Sequence, residues 1–186
     1  MKITIDSSIL QRLSRLEHVK IDINSGKSYI IGTDGVFACI YYIGETDQAD
    51  DSCFLKLDID KVENEANFGG SFTFDTLPEL AMSSVVTSSG QDCSEFVIWP
   101  DESPLNKWRD WFKLSTTSKG SMYIDIKELI ALWETSPTGC ITFPEVINAV
   151  EPLIVRDVNN ADWLGVFIPT VDGKAVIKPA TLPEWL

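Results

Sequence analysis

The sequence contains little of the chemistry on which most enzymes depend. Its 186 residues include a single histidine, His18, and four cysteines that are scattered without a CxxC pair. The chain has no GxxxxGK[ST] loop for phosphate and no HExxH, GxSxG or GxGxxG motif. The usual ligand spacing of a zinc site is therefore missing, and a histidine-dependent catalytic site would rest on His18 alone. We predict a protein that is not an enzyme and that binds neither a metal ion nor a cofactor.

Basic residues and long apolar runs are also scarce. Lys and Arg number 15 against 28 Asp and Glu, and the formal net charge is −13. This charge disfavours nonspecific attraction to nucleic acid and to anionic membranes. No apolar run approaches the roughly 20 residues that span a bilayer, and MKITIDSSIL lacks the apolar core of a signal peptide. We expect a cytoplasmic protein without a membrane partner.

Two clusters of aspartates contain carboxylates of the kind that bind Mg²⁺. One cluster consists of Asp47, Asp50 and Asp51, and the other of Asp58 and Asp60. A solvated loop explains the first cluster. A helix N-terminus, which favours negative charge, explains the second. We therefore predict no metal site at either cluster.

What the sequence does contain is one order of elements that occurs three times: a strand, a helix and three strands. In each repeat, capping residues precede an apolar stripe at helical spacing, and alternating strands follow. The order of elements recurs although the residues themselves do not, and an internal repeat is a stronger signal than any single motif. The repeats cover residues 1–44, 53–99 and 121–171, with helices predicted at 7–17, 59–67 and 126–135.

Proline and polar residues mark the predicted boundaries between segments. Residues 100–120 combine two prolines with a Ser/Thr run, and the residues after Val171 contain two more prolines. We predict a domain at 1–100 built from the first two repeats, a linker at 101–120, a further βαβββ unit at 121–171 and a C-terminal tail at 172–186.

Several strings in the repeats resemble those of DNA sliding clamps, the ring-shaped processivity factors of replicative polymerases. PLIVRD at 152–157 is similar to the PLLIR strand of bacterial clamps, and DWLGVFIPTV at 162–171 is similar to their last strand, a YLYVIMPMR type of string. The hairpin around GTDG at 32–35 resembles the DGxLxLxATD pattern of the family, although a DG turn is also common in other hairpins. The resemblance implies an α+β fold of repeated βαβββ units, with antiparallel sheets and the helices on one face.

The resemblance also implies a function and a set of partners. A clamp-like protein would encircle double-stranded DNA as a homo-oligomer and tether a DNA polymerase or other replication proteins. The small size favours a phage-encoded protein, which would act in the host cytoplasm. In the family a domain consists of two βαβββ units side by side. Three units therefore leave one without a partner in the chain, so either the count is wrong or oligomerisation completes it.

A clamp holds the duplex through its phosphates, and this requires basic side chains on the helices that face the hole. Known clamps are acidic overall with a basic bore, so a charge of −13 is compatible with this function. The predicted DNA contacts are Arg12, Arg15, Lys20, Lys61 and Lys127. The alternative interpretation is that these residues form the ordinary polar faces of amphipathic helices.

In sliding clamps, client peptides insert apolar side chains into a groove beside the final strand. When the last strand is matched by its proline, the implied groove residues are Val166, Ile168 and Pro169, with Leu153 and Val155 on the preceding strand. The same residues are also explained as simple core. The string LPEWL at 182–186 resembles the peptides that such grooves accept.

Two other functions are compatible with the sequence. A clamp-like regulatory or decoy protein would bind a replication protein without encircling DNA, and the small number of basic residues favours it. A structural or assembly protein with a similar α+β pattern is the third interpretation.

Overall fold

The computed structural model describes residues 1–77, 82–93, 97–98, 104–112, 121–123, 126–143, 152–167, 170–172 and 185. The chain forms two compact units. Unit 1 consists of Met1–Gly32 and Tyr41–Ser103, and unit 2 consists of Thr33–Ile40 and Pro104–Leu186. None of the helices in the described ranges is long and apolar enough to cross a bilayer.

The helices are α1 (Ser7–Leu13), α2 (Ile59–Asn67) and α3 (Ile126–Thr135), with a 3₁₀ helix at Pro104–Phe112. The strands of the first repeat are β1 (Lys2–Asp6), β2 (His18–Asn24), β3 (Lys27–Thr33) and β4 (Phe37–Glu45). Those of the second are β5 (Asp51–Leu55), β6 (Ser71–Leu77), β7 (Met82–Thr87) and β8 (Val97–Ile98). The remaining strands are β9 (Ser121–Tyr123), β10 (Ile141–Thr142), β11 (Leu153–Asp157), β12 (Trp163–Phe167) and β13 (Thr170–Asp172).

The two repeats of unit 1 exchange their first strands. One sheet has the order β1-β6-β7, and the other contains β4-β3-β2-β5-β8. β1 precedes α1 but pairs antiparallel with β6, which follows α2. Conversely, β5 precedes α2 but pairs antiparallel with β2, which follows α1. Each repeat therefore completes the sheet of the other, and the predicted α+β fold with antiparallel sheets is confirmed.

α1 and α2 contact each other within unit 1. Leu10 and Leu13 of α1 and Val62 of α2 are fully buried, and burial of such a side chain contributes about 1.5–3 kcal/mol. Both helices begin after an aspartate cap: Asp6 Oδ1 accepts from the Ser8 N–H at 2.8 Å, and Asp58 Oδ1 accepts from the Lys61 N–H at 3.2 Å. These caps satisfy N–H groups that have no partner in the first turn.

The predicted bounds of α2 and α3 are confirmed, whereas α1 is shorter than the predicted 7–17. The Leu16 N–H bonds to the Leu13 carbonyl at 3.0 Å, three residues back instead of four. This tighter turn follows the end of α1 at Leu13, and β2 begins at His18.

In unit 2, α3 lies on a sheet that contains β10, β11, β12 and the Phe37–Ile40 part of β4, in that order. A Cβ atom at Gly165 of β12 would lie 2.9 Å from both Cδ atoms of Leu132, so glycine allows the close approach of helix and strand. β13 was not predicted, and it pairs with β9 in a separate two-stranded sheet.

The segment predicted as a linker contains ordered structure in its middle. Leu105 and Trp108 of the 3₁₀ helix are buried, and the Arg109 guanidinium lies 4.3 Å from the centroid of the Trp108 ring. The boundaries predicted at residues 100, 120 and 171 stay predictions.

Candidate nucleic-acid interface and partner groove

Two of the predicted DNA contacts lie at the C-terminal end of α1. Arg12 is in the last turn and half-buried, whereas Arg15 lies just beyond the helix and is exposed. Cations at this end of a helix also interact favourably with the helix dipole. Arg15 is therefore more accessible to a phosphate than Arg12.

Lys20 does not lie on an exposed face. The alternating pattern of β2 predicted one buried face, but both faces are covered, and Lys20 is only 5% exposed. Its Nζ lies 3.6 Å from Asp22 Oδ1 and 5.7 Å from the centroid of the Phe54 ring. A buried ammonium needs a carboxylate of this kind. This burial and this pairing disfavour a contact between Lys20 and DNA.

Lys61 of α2 lies among acidic and amide side chains. It is half-buried, and Asp60 beside it is exposed. An open polar depression on this part of unit 1 is lined by Asp60, Lys61, Glu63, Asn64, Asn67 and Gln91. Two carboxylates around one ammonium leave this surface negative, which disfavours approach of a phosphate.

Lys127 is exposed in the first turn of α3. Its neighbours on the exposed side of the helix are apolar rather than basic: Ile126, Ile130 and Trp133 are all exposed. α3 therefore presents one cation beside an apolar stripe, and a phosphate contact does not account for that stripe.

Carboxylates considered as cation ligands have protein partners in the structure. Asp50 Oδ1 accepts from the Ser25 N–H at 2.8 Å, Asp51 Oδ2 lies 3.2 Å from the N-terminal amine of Met1, and Asp58 caps α2. In the described part of the chain, no group of three or more His, Cys, Asp or Glu side chains is placed to hold a metal ion.

Sequence reasoning missed a buried carboxylate in unit 1, Glu65. Its Oε1 accepts from Ser88 Oγ at 2.5 Å and from the Ser89 N–H at 3.2 Å, and its Oε2 accepts from Ser89 Oγ at 3.0 Å. The bond from Ser88 lowers the pKa of Glu65, and those from Ser89 add to this against the opposing effect of burial. The signal in the sequence was the Ser88-Ser89 pair, but nothing local connects it with α2.

Three of the five predicted groove residues are core residues. Leu153, Val155 and Val166 are buried, since β11 alternates between a buried and a half-buried face and β12 is buried on both. Phe167 of β12 packs on Phe37, with ring centroids 6.1 Å apart. The other two predicted residues, Ile168 and Pro169, lie outside the described residues.

One residue of the tail has a described contact. The Trp185 indole Nε1 donates a 2.8 Å hydrogen bond to the Ala161 carbonyl, in the turn between β11 and β12. The sequence predicted that the tail resembles a ligand peptide, but it did not predict this point of attachment.

The fold of the chain is similar to that of several solved structures. The chain is similar to the DNA polymerase III subunit beta from Pseudomonas aeruginosa, with a TM-score of 0.61 and 10% identity over 92% of this chain and 67% of the other. This chain therefore has the sliding-clamp fold. The sliding clamp of Bartonella birtlesii LL-WM9 gives a TM-score of 0.57 and 12% identity over 100% of this chain, which spans 65% of that clamp.

A third similar structure is the DNA polymerase III beta subunit from Thermotoga maritima, with a TM-score of 0.54 and 11% identity over 93% of this chain and 66% of the other. No protein-family model matches the chain, and no curated protein sequence matches it. The suspected resemblance to sliding clamps is therefore confirmed at the level of the fold.

Proposed function

We propose that this protein is a sliding-clamp-like processivity factor. It encircles double-stranded DNA as a homo-oligomer and tethers a DNA polymerase or other replication proteins without catalysing a reaction. The observation that carries the proposal is the exchange of first strands between two βαβββ repeats whose helices pack together. The same fold occurs in DNA polymerase III beta subunits.

The proposed DNA contacts are made to phosphates and not to bases, since a protein that moves along a duplex cannot depend on sequence. Arg15 and Lys127 are exposed, and Arg12 and Lys61 are half-buried. The acidic residues near Lys61 make α2 the weakest part of this surface. The interaction is therefore loose and salt-dependent.

The proposed partner groove is the apolar region formed by β11, β12 and the residues that follow. It includes Leu153, Val155 and Val166, together with Ile168 and Pro169. The buried side chains form the floor, and a client peptide would contact the exposed end of this core. In a phage-encoded protein, this interaction takes place in the host cytoplasm.

A threading experiment tests whether the protein encircles DNA without requiring any partner. A linear duplex carries biotin at both ends, and streptavidin blocks the ends either before or after the protein is added. A ring enters only through open ends. We therefore expect the protein to be retained when it is added before streptavidin and not when it is added after streptavidin. Equal retention in both orders would mean that the protein binds DNA without encircling it.

The second candidate function is a clamp-like regulatory or decoy protein that binds a replication protein without encircling DNA. The buried Lys20 and the acidic surface of α2 favour it, because both reduce the positive charge available to a duplex. For a decoy we expect no retention in either order of addition. It would also inhibit primer extension by its polymerase, whereas a processivity factor stimulates it.

A further inference from the structure

The three helices of the repeats differ in how well their corresponding residues are buried. The fourth residue is Leu10 in α1, Val62 in α2 and Leu129 in α3. Leu10 and Val62 are each 0% exposed, and α1 and α2 contact each other. Leu129 is only half-buried. The position that is fully buried in the helix pair of unit 1 is therefore partly exposed on α3.

The first residue of the helix shows the same difference. Ser7 of α1 is 1% exposed, and its N–H and Oγ both donate to the Gly70 carbonyl of the other repeat, at 3.1 and 2.6 Å. Ile126 of α3, at the corresponding position, is 63% exposed. Ile130 and Trp133, one and two turns further on, are also exposed. An apolar stripe of this spacing normally packs on another element.

The strand order points to the missing element. In unit 1, β5 is the first strand of its repeat and lies between β2 and β8. In unit 2, β9 is the first strand of its repeat and has β13 along one edge, as β5 has β8. β10 has β11 along one edge, as β2 has β3. The second edges of β9 and β10 carry no strand among the residues that the structure describes.

We propose that a second copy of this chain completes unit 2. α3 of one copy packs against α3 of the other, as α1 packs against α2. β9 of each copy joins the partner's β10 along the edge where the described residues place no strand, as β5 joins β2. The contact is two-fold symmetric, because the same half-domain supplies both sides. The inference rests on the homo-oligomer of the proposed function and names one of its contacts.

The charges that flank the stripe suit a second copy of the same helix. Lys127 and Glu134 are seven residues apart, and both lie beside Ile126, Ile130 and Trp133 on one flank. A two-fold axis perpendicular to α3 makes the two helices antiparallel. Lys127 of each copy then lies opposite Glu134 of the other, so in the oligomer Lys127 serves this contact instead of a DNA phosphate. The same helix thus provides both the apolar contact and its complementary charge.

The test measures the native mass of the full chain by sedimentation at micromolar concentrations without DNA. We expect an even multiple of the chain mass of 20.7 kDa. Ile130→Glu should halve the mass or raise the dissociation constant at least about tenfold, because the symmetric contact contains the carboxylate twice. Phe68→Glu is the matched control, since Phe68 is an exposed apolar residue at the end of α2, and it should leave the mass unchanged.

A charge exchange supports or overturns the antiparallel arrangement without changing the apolar stripe. Lys127→Glu should weaken the association, and Lys127→Glu combined with Glu134→Lys should restore it. An oligomer whose mass survives Ile130→Glu and Lys127→Glu would overturn this contact and leave the encircling function standing. If both variants dissociate as expected but the threading experiment fails, the contact stands and the function does not. A wild-type monomer at all concentrations would contradict both.

Discussion

Ser136 Oγ donates a 2.5 Å hydrogen bond to Asp157 Oδ2 and thereby joins the residue after α3 to the last residue of β11. The same carboxylate accepts from the Thr138 N–H at 2.9 Å, from Thr138 Oγ1 at 2.7 Å and from the Asn159 N–H at 2.9 Å. Burial alone would raise the pKa of Asp157, but the bonds from Ser136, Thr138 and Asn159 lower it from 3.8 to about 2. The ionised carboxylate therefore holds the helix end to the sheet in unit 2.

We predict that this carboxylate makes the stability of the fold depend on pH in the acid range. Because the pKa is lower in the folded than in the unfolded state, the stabilisation is complete above about pH 4 and is lost as the pH falls towards 2. Its size is about 2 kcal/mol. The measurement is the difference in unfolding free energy between wild type and Asp157→Asn from pH 7 to pH 2. Asp162→Asn, an exposed residue of the following turn, is the control. A difference that does not change with pH would contradict the prediction.

We predict that Gly70→Ala destabilises unit 1 by about 1–3 kcal/mol, which is the usual cost of overpacking. A Cβ atom at this position would lie 2.6 Å from both Glu65 Cδ and Ser88 Oγ, in the middle of the buried carboxylate contact. Urea unfolding measures the effect. Ser88→Ala removes one of the clashing atoms, so the double variant should be more stable than the sum of the two single effects implies. Additive effects would mean that Gly70 does not act through this contact.

Features that depend on residues close together in the sequence were predicted, whereas features that depend on distant residues were not. α2 and α3 were predicted to the residue, because an apolar stripe and its flanking cap or breaker lie within a few turns of one another. The pairing of β1 with β6 was not predicted, since the partners are about 70 residues apart and the alternation of β1 fits any sheet edge. The bond between Ser136 and Asp157 was not predicted for the same reason.

The candidate site was predicted less completely than the fold. A period of two along β2 shows that alternate residues share a face, but it does not show whether that face is covered. Lys20 was therefore predicted as a DNA contact, although it lies with Asp22 on a second buried face where their opposite charges are paired. Two opposite charges two residues apart lie on the same face of a strand, and this is the signal that would have indicated the pair.

We predict that Lys20 is a structural residue. Lys20→Met should lower the unfolding free energy by about 1–3 kcal/mol, because it removes the ammonium that faces the buried Asp22. The salt dependence of binding to duplex DNA should remain that of wild type. Asp22→Asn, which changes the other side of the same pair, should also destabilise the fold without altering the salt dependence. A reduced salt slope with unchanged stability would return Lys20 to the DNA-binding set.

We predict that Arg12 and Arg15 contribute to DNA binding through phosphate contacts. Reversal of both charges to Glu should abolish stimulation of primer extension and reduce the slope of log affinity against log salt by about 2. Lys2→Glu with Lys56→Glu is the control, because it changes the net charge equally at exposed lysines outside the helices. An equal effect of both double variants would show that only net charge matters. Unchanged stimulation and slope would mean that the end of α1 does not face DNA.

We predict that the C-terminal tail occupies the partner groove of its own chain or of a neighbouring copy. Trp185 Nε1 bonds to the Ala161 carbonyl at the turn that joins β11 and β12, which carry the proposed groove residues. A tethered ligand has an effective concentration on the order of millimolar, so it would exclude a free peptide of similar affinity. Deletion of residues 181–186 should therefore let the chain bind a labelled TLPEWL peptide at least about tenfold more tightly than the full chain does.

The same peptide with alanine in place of its tryptophan should bind neither form. Ile168→Asp in the truncated chain should abolish binding if the groove lies beside the last strand. Equal binding by the full and truncated chains, with no effect of Ile168→Asp, would leave the tail as a segment offered to another protein and place its ligand site elsewhere.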